Sequence, residues 1–251
     1  MIKALSRTSV DLKTTEVISS LLQILNTKKA RYNDKVETLE KEYARLIGVK
    51  EAVAFPYSRT GTYYALMALE LQEGDEVIMP AFTFWVDAAM VVMAGLKPVF
   101  VDVNFETQSI DTALIENAIT PRTKVIYPTH LNGLPADMDQ IMRIAKKYDL
   151  RVMEDCARSC GATYKDKRIG SFDIGSFSFG YGKSFYGFGG AMVTSDNTAF
   201  IKKLRDLKKD FKHISLKNLC IQTLKGSLLK YLNISYFYRF SIFPMVYKFQ
   251  V

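Results

Sequence analysis

Leu150-Arg-Val-Met-Glu154-Asp155 is a short apolar run that closes on two adjacent acids. A run this brief suits a strand buried on both faces, the habit of parallel sheets covered by helices. Similar runs precede it at Ala52–Phe55, Glu76–Met79, Pro98–Val101 and Lys124–Tyr127, and this one spans Arg151–Glu154. Amphipathic, helix-like segments lie near 60–71, 84–94, 111–119 and 135–147, with turn chemistry at Gly74-Asp75, Asn104 and Asn132-Gly133. The alternation predicts an α/β body with a mainly parallel central sheet flanked by helices. Residues 12–27 and 36–47 carry helical spacing ahead of it. Beyond about residue 160 the rhythm tightens into strands at Ala162–Tyr164, Ile174–Phe179 and Ala191–Thr194, then a basic helix over 197–211.

A carboxylate buried at a strand end needs a cationic partner, and one lies downstream in a glycine-dense run. That run reads Gly175-Ser-Phe-Ser-Phe-Gly-Tyr-Gly-Lys183-Ser-Phe-Tyr-Gly-Phe-Gly-Gly190. A lysine that must approach a ligand closely needs small neighbours. Pyridoxal phosphate asks for both groups: an amine for the Schiff base and an acid that keeps the pyridine nitrogen protonated. The run is no dinucleotide fingerprint, because the strand–turn–helix setting and the third glycine are missing.

With 251 residues, 48% of them hydrophobic and 24% charged, the chain can bury a large single core. Its net charge of +8 is uneven: residues 202–251 hold eleven Lys or Arg against Asp206 and Asp210, which leaves the first 201 residues near neutrality. The basic character therefore belongs to the tail, and no basic face or motif points to nucleic acid. Three cysteines suit a reducing compartment, and the first residues lack the apolar core of a signal peptide, so a cytoplasmic location is expected. Two histidines, His130 and His213, assemble neither a triad nor a zinc site, and no metal is expected. Cys156 and Cys160 read as small apolar fillers. The last 21 residues carry eight aromatics, interrupted by Arg239, Pro244 and Lys248, so no span of transmembrane length exists there.

From about Leu39 to Thr194 the chain resembles the DegT/DnrJ/EryC1/StrS family of sugar aminotransferases. The resemblance rests on Gly74-Asp-Glu-Val-Ile-Met-Pro80, Pro98-Val-Phe-Val-Asp-Val103 and Ile119-Thr-Pro-Arg-Thr-Lys-Val125. It continues through His130-Leu-Asn-Gly-Leu-Pro-Ala-Asp-Met-Asp139, Glu154-Asp-Cys-Ala157 and the lysine segment, all in the family's order. It implies a pyridoxal 5'-phosphate enzyme with the aspartate-aminotransferase-like (fold type I) large domain over residues 1–200. A basic, aromatic-rich segment over 201–251 is then the start of a small domain that is largely missing, or a tail. The implied reaction moves an amino group from an amino acid, glutamate by family habit, to a nucleotide-linked keto-sugar; a homodimer is implied as well.

The same resemblance assigns roles. Lys183 matches the Schiff-base lysine, and Asp155 the acid that pairs with the pyridine nitrogen. Glu154 is expected to point away, since neighbours on a strand face opposite sides. Tyr57-Ser58-Arg59-Thr60-Gly61 falls where the family has its phosphate loop, with Ser58 and Arg59 on the usual glycine and threonine, so Ser58, Arg59 and Thr60 read as a variant cradle at a helix start. Ser178 matches a serine that also reaches the phosphate. Phe84 stands where an aromatic ring stacks on the pyridoxal ring, with Trp85 competing for the role. Arg158 replaces a glutamine beside the phenolic oxygen. His130, in a His-x-x-Gly turn, reads as structural.

Two other readings compete. Some family members are sugar dehydratases that have exchanged the lysine for histidine, and Lys183 argues against that chemistry. A degenerate or truncated relative could instead serve as a binding partner, its tail (Lys225, Lys230, Tyr236, Phe237, Arg239, Phe240, Phe243) settling on an anionic membrane surface. A packing surface is the simpler reading of that tail.

Overall fold

The structure, a computed structural model, describes residues 34–209 except 181 and 188, then 211 and 216–232, with Thr15, Ile18, Ser19 and Leu22. Of the expected helix over 12–27 only Thr15, Ile18, Ser19 and Leu22 are described, all four helical; the rest of it and the aromatic end beyond 232 lie outside the described residues.

Helix α1 (Asp34–Ile47) leads into strand β1 (Glu51–Phe55), helix α2 (Ser58–Ala68), β2 (Glu76–Pro80), α3 (Trp85–Met93) and β3 (Lys97–Val101). Then follow α4 (Thr112–Ala118), β4 (Thr123–Ile126), α5 (Met138–Tyr148) and β5 (Arg151–Asp155). A two-residue hairpin, β6 (Thr163–Tyr164) and β7 (Lys167–Arg168), separates β5 from β8 (Ile174–Ser178) and β9 (Ala191–Ser195). Helices α6 (Thr198–Lys208) and α7 (Leu216–Leu232) follow.

Seven strands form one sheet in the order β1-β9-β8-β5-β4-β2-β3. The pairs β3–β2, β2–β4, β4–β5 and β5–β8 are parallel; β9 is antiparallel to both β8 and β1, so six strands run one way and β9 alone runs back. Every expected strand and helix within the described residues exists, with ends shifted by one to three residues. The exception in kind is Ala162–Tyr164, which shrinks to half of the small hairpin outside the main sheet. Local apolar pattern cannot reveal that, because pairing partners are set by tertiary packing.

Alternation along each strand splits the core into layers. Val77, Met79, Val125 and Met153 join one cluster with Ala65 and Leu66 of α2, Val91 of α3 and Phe200, Ile201 and Leu204 of α6. The intervening Ile78, Ile126 and Val152 face Ile115 of α4 and Ile141 and Ile144 of α5. A third cluster packs Tyr43 and Ile47 of α1 against Phe177 and Met192. Residues 76–80, 174–178 and 191–195 are buried at every position, which is why these strands read as continuous apolar runs.

One glycine is held by close approach. A Cβ on Gly175 would lie 2.5 Å from the Gly170 Cα and 2.5 Å from Thr194 Oγ1. Gly175→Ala is therefore expected to destabilise the protein by about 1–3 kcal/mol, read as a lower urea midpoint with unchanged slope.

Candidate active site

The carboxyl ends of the parallel strands converge on one cleft, the usual place for a ligand in an open α/β sheet. Its free space is about 700 Å³ including the open mouth, lined by Tyr57, Ser58 and Arg59 after β1, and by Phe84, Val86 and Asp87 after β2. Thr129 and Leu131 follow β4; Asp155, Ala157 and Arg158 end and follow β5; Ser178 ends β8, and Lys183 follows it. Of the residues expected at the site, all but Thr60 line this cleft. Thr60 is half-buried in the first turn of α2 and does not reach the wall.

Strand parity positions the acids. Asp155 shares the face of Met153 and looks toward α2 and α3, where it is buried and accepts from Ala157 N–H at 2.9 Å. Glu154 faces the other way, as its sequence neighbour requires. Its carboxylate accepts from Gly170 N–H at 2.7 Å and Phe172 N–H at 2.9 Å, and lies 3.1 Å from His130 Nε2. His130 Nδ1 accepts from Ala136 N–H at 3.0 Å, so Nε2 carries the proton and donates to Glu154. Glu154 and His130 thus tie the turns after β4 and β7 to β5. Cys156 brings its sulfur into the same knot, within 4.8 Å of these groups, with its Sγ 3.7 Å from the Glu154 carbonyl. All three are committed to hydrogen bonds.

Lys183 is half-buried in the turn after β8, with Nζ 5.6 Å from the Phe84 ring centroid, a cation–π distance. Phe84, the residue before α3, lines the cleft; Trp85 does not, and is 72% exposed. The packing thus favours Phe84 over its neighbour. Ser178 sits buried at the end of β8, its Oγ accepting from Gly180 N–H at 3.4 Å.

The start of α2 suits an anion. Tyr57 occupies its cap position in an extended conformation, with no side-chain cap hydrogen bond and no acid in the first turn. The uncapped N–H groups and the helix dipole together attract negative charge. Arg59 adds a guanidinium there, its Cζ 4.9 Å from the Tyr57 ring centroid.

Sequence reasoning overlooked Asp87, Tyr127 and Thr62. Asp87 lies on the inner face of α3, one turn before Val91, buried and beside Asp155. Tyr127 O–H donates to Asp87 Oδ1 at 3.2 Å; its oxygen is 3.3 Å from Thr62 Oγ1, which is 3.1 Å from Ser176 Oγ. Burial, then the Asp155 charge, hold the Asp87 carboxyl well above the ordinary carboxylate range. Burial also raises Asp155, while Ala157 N–H and Lys183 pull it back. One signal was available: Asp87 is the sole charge in Trp85-Val-Asp-Ala-Ala-Met-Val-Val-Met93.

The amine, the acid and a helix start suited to an anion thus lie in one cleft. The model of the DegT/DnrJ/EryC1/StrS aminotransferase family matches residues 12–219. This chain belongs to that family. A relative from Acidithiobacillus ferrooxidans, UDP-N-acetyl-3-dehydro-alpha-D-glucosamine 3-aminotransferase, is 44% identical over 196 residues, covering 77% of this chain and 53% of the relative. Among solved structures, NtdA from Bacillus subtilis with bound cofactor PMP superposes with a TM-score of 0.75 at 29% identity, over 93% of this chain and 57% of that one. GDP-4-keto-6-deoxymannose-3-dehydratase with a trapped PLP-glutamate geminal diamine gives 0.74 at 27%, over 80% and 54%. The fold is thus the fold type I, aspartate-aminotransferase-like one. The DegT/DnrJ/EryC1/StrS chain described here spans about half the length of the curated relatives it matches. Among its described residues, no helix is long and apolar enough to cross a membrane.

Proposed function

We propose that this chain is the pyridoxal-phosphate-binding part of an aminotransferase that moves an amino group from an amino acid, glutamate by family habit, to a nucleotide-linked keto-sugar. The observation that carries the reading is one cleft that brings Lys183, Asp155 and the uncapped start of α2 together. The PMP and PLP-glutamate bound in the solved relatives and the sugar substrate named for the 44% relative agree with it.

The donor set fits the group. Ser58, Arg59, Ser178 and the free N–H groups of α2 would receive its phosphate, Asp155 its ring nitrogen, and Phe84 one ring face. When bound, pyridoxal phosphate supplies a carbonyl that condenses with amines and a ring that accepts electrons from the adjacent carbon. Lys183 would hold the covalent link at rest. Released by the incoming amino group, its Nζ would carry the proton off the amino acid's α-carbon as base and return it as acid. Asp155 would keep the ring-nitrogen proton in place throughout, and Arg158 would set the electrostatics of the opposite edge.

Residues 1–200 are proposed as the large, cofactor-binding domain and 201–251 as the opening of a smaller one. A homodimer and a cytoplasmic setting belong to the same proposal, the latter on three unpaired thiols. Lysine at 183 argues against the dehydratase chemistry.

Adding pyridoxal phosphate to the purified chain is the direct test. Uptake should give a visible absorbance band that an amino acid donor discharges in wild type. Asp155→Asn should weaken uptake about tenfold or more, since a charge-assisted hydrogen bond is lost. A colourless wild-type protein that ignores the cofactor would overturn the reading.

A further inference from the structure

Asp87 is the one carboxyl group of the cleft with no role in the reading above, and its surroundings define what it can do. It sits in the first turn of α3, buried, on the face that packs against the sheet. Four hydroxyl and carboxyl groups form a chain that ends on it. Ser176 Oγ and Thr62 Oγ1 are 3.1 Å apart, Thr62 Oγ1 and Tyr127 O–H 3.3 Å, and Tyr127 O–H donates to Asp87 Oδ1 at 3.2 Å. The direction of that chain is fixed at its end: with Tyr127 donating to Asp87, Thr62 donates to Tyr127 and Ser176 to Thr62. One Asp87 oxygen is therefore an acceptor, and the carboxyl is buried in the same cleft as that of Asp155, each acting on the charge of the other. Two carboxyl groups buried in one cleft avoid like-charge repulsion when one of them keeps its proton, which it can then donate to the other.

We propose that Asp87 is a positioning residue, a neutral carboxylic acid that donates to Asp155 and leaves Asp155 as the single negative carboxylate aimed at the cofactor's ring nitrogen. This inference rests on the pyridoxal-phosphate reading of the cleft.

Which of the two keeps the proton follows from their surroundings. Asp155 receives a backbone N–H from Ala157 and has the Lys183 amine and, more weakly, the His130 ring nearby. Asp87 faces Asp155 from β5, Tyr127 beyond β4 and, more weakly, Lys183 from the loop after β8. The start of α3 favours a charged Asp87 by the helix dipole, but burial and the Asp155 charge act the other way and dominate. A charged acid placed behind Asp155 would compete for the ring-nitrogen proton; a neutral donor fixes the Asp155 rotamer and lowers its affinity for a proton of its own.

The sign of the pH dependence follows. In the unfolded chain Asp87 titrates near the ordinary carboxylate value of about 4. Above that value the native state holds a proton that the unfolded chain has released, so this group's contribution to stability falls as pH rises toward its raised folded value. Asp87→Asn keeps an acceptor for Tyr127 and a donor for Asp155 but cannot ionise.

The test uses the whole chain. In cofactor-free protein, Asp87→Asn should melt higher than wild type at pH 7, with the gap closing below about pH 4. Pyridoxal phosphate, titrated by absorbance, should bind Asp87→Asn within about threefold of wild type and Asp87→Leu at least about tenfold more weakly, because only the amide restores the lost donor. Parallel melting profiles across pH, or an asparagine variant that binds as poorly as the leucine one, would overturn the proposal. Should Asp87→Leu fail to fold, the wild-type and asparagine profiles still decide. A wild type that takes up no cofactor would sink the functional reading, while the melting gap would still report on the Asp87 proton.

Discussion

Lys183→Ala is expected to abolish amino-group transfer, with kcat falling by at least about 10⁴-fold, because the residue is proposed to hold both the covalent link and the proton shuttle. Fold stability should barely change. Lys183 is half-buried in a turn, makes no ion pair among the described residues, and contacts Phe84 only at cation–π range. The variant should still bind pyridoxal phosphate, since Asp155, Ser178 and the start of α2 remain, but without the absorbance band of the lysine-linked form. Arg59→Ala supplies the contrast: it should weaken cofactor binding while leaving that band intact at saturating cofactor. If Lys183→Ala retained more than a small fraction of transfer, as measured by product formation from the keto-sugar, another group would be the base.

Glu154→Leu is expected to have the larger effect on stability, although Glu154 never reaches the cleft. Its fully buried carboxylate satisfies Gly170 N–H, Phe172 N–H and His130 Nε2, three donors from two separate turns. Leucine leaves all three buried and unpaired, at a cost of about 3 kcal/mol or more. For a domain of this size that lowers the melting temperature by about 6–12 °C. Glu154→Gln keeps one acceptor and should fall between. Thermal melts of cofactor-free protein check this. A Glu154→Leu protein that melts like wild type but no longer binds cofactor would reverse the roles assigned to the two neighbouring acids.

The legible part of the fold was the part governed by local pattern. Val77-Ile78-Met79 and Val152-Met153 advertise two-sided burial because each successive residue enters a different core cluster. The same alternation separates Asp155 from Glu154 in the sequence itself. Motif order located Lys183, Ser178 and Phe84 in the cleft where the structure has them. Pairing was not legible: nothing in Ala191-Met-Val-Thr-Ser195 says that it runs antiparallel between β1 and β8, since that depends on partners about 140 and 17 residues away. Asp87 escaped because its meaning is tertiary. A single acid in an apolar helix is unremarkable until the fold sets it against Asp155 and Tyr127. Thr60, expected beside Ser58 and Arg59, is half-buried and lies outside the lining of the cleft that those two share.

The central claim is a covalent one, and reduction tests it most directly. Loading the chain with pyridoxal phosphate, treating it with borohydride and mapping the peptides by mass should place the cofactor's added mass on Lys183 alone. Modification spread over surface lysines, or absent from the Lys183 peptide, would contradict the account.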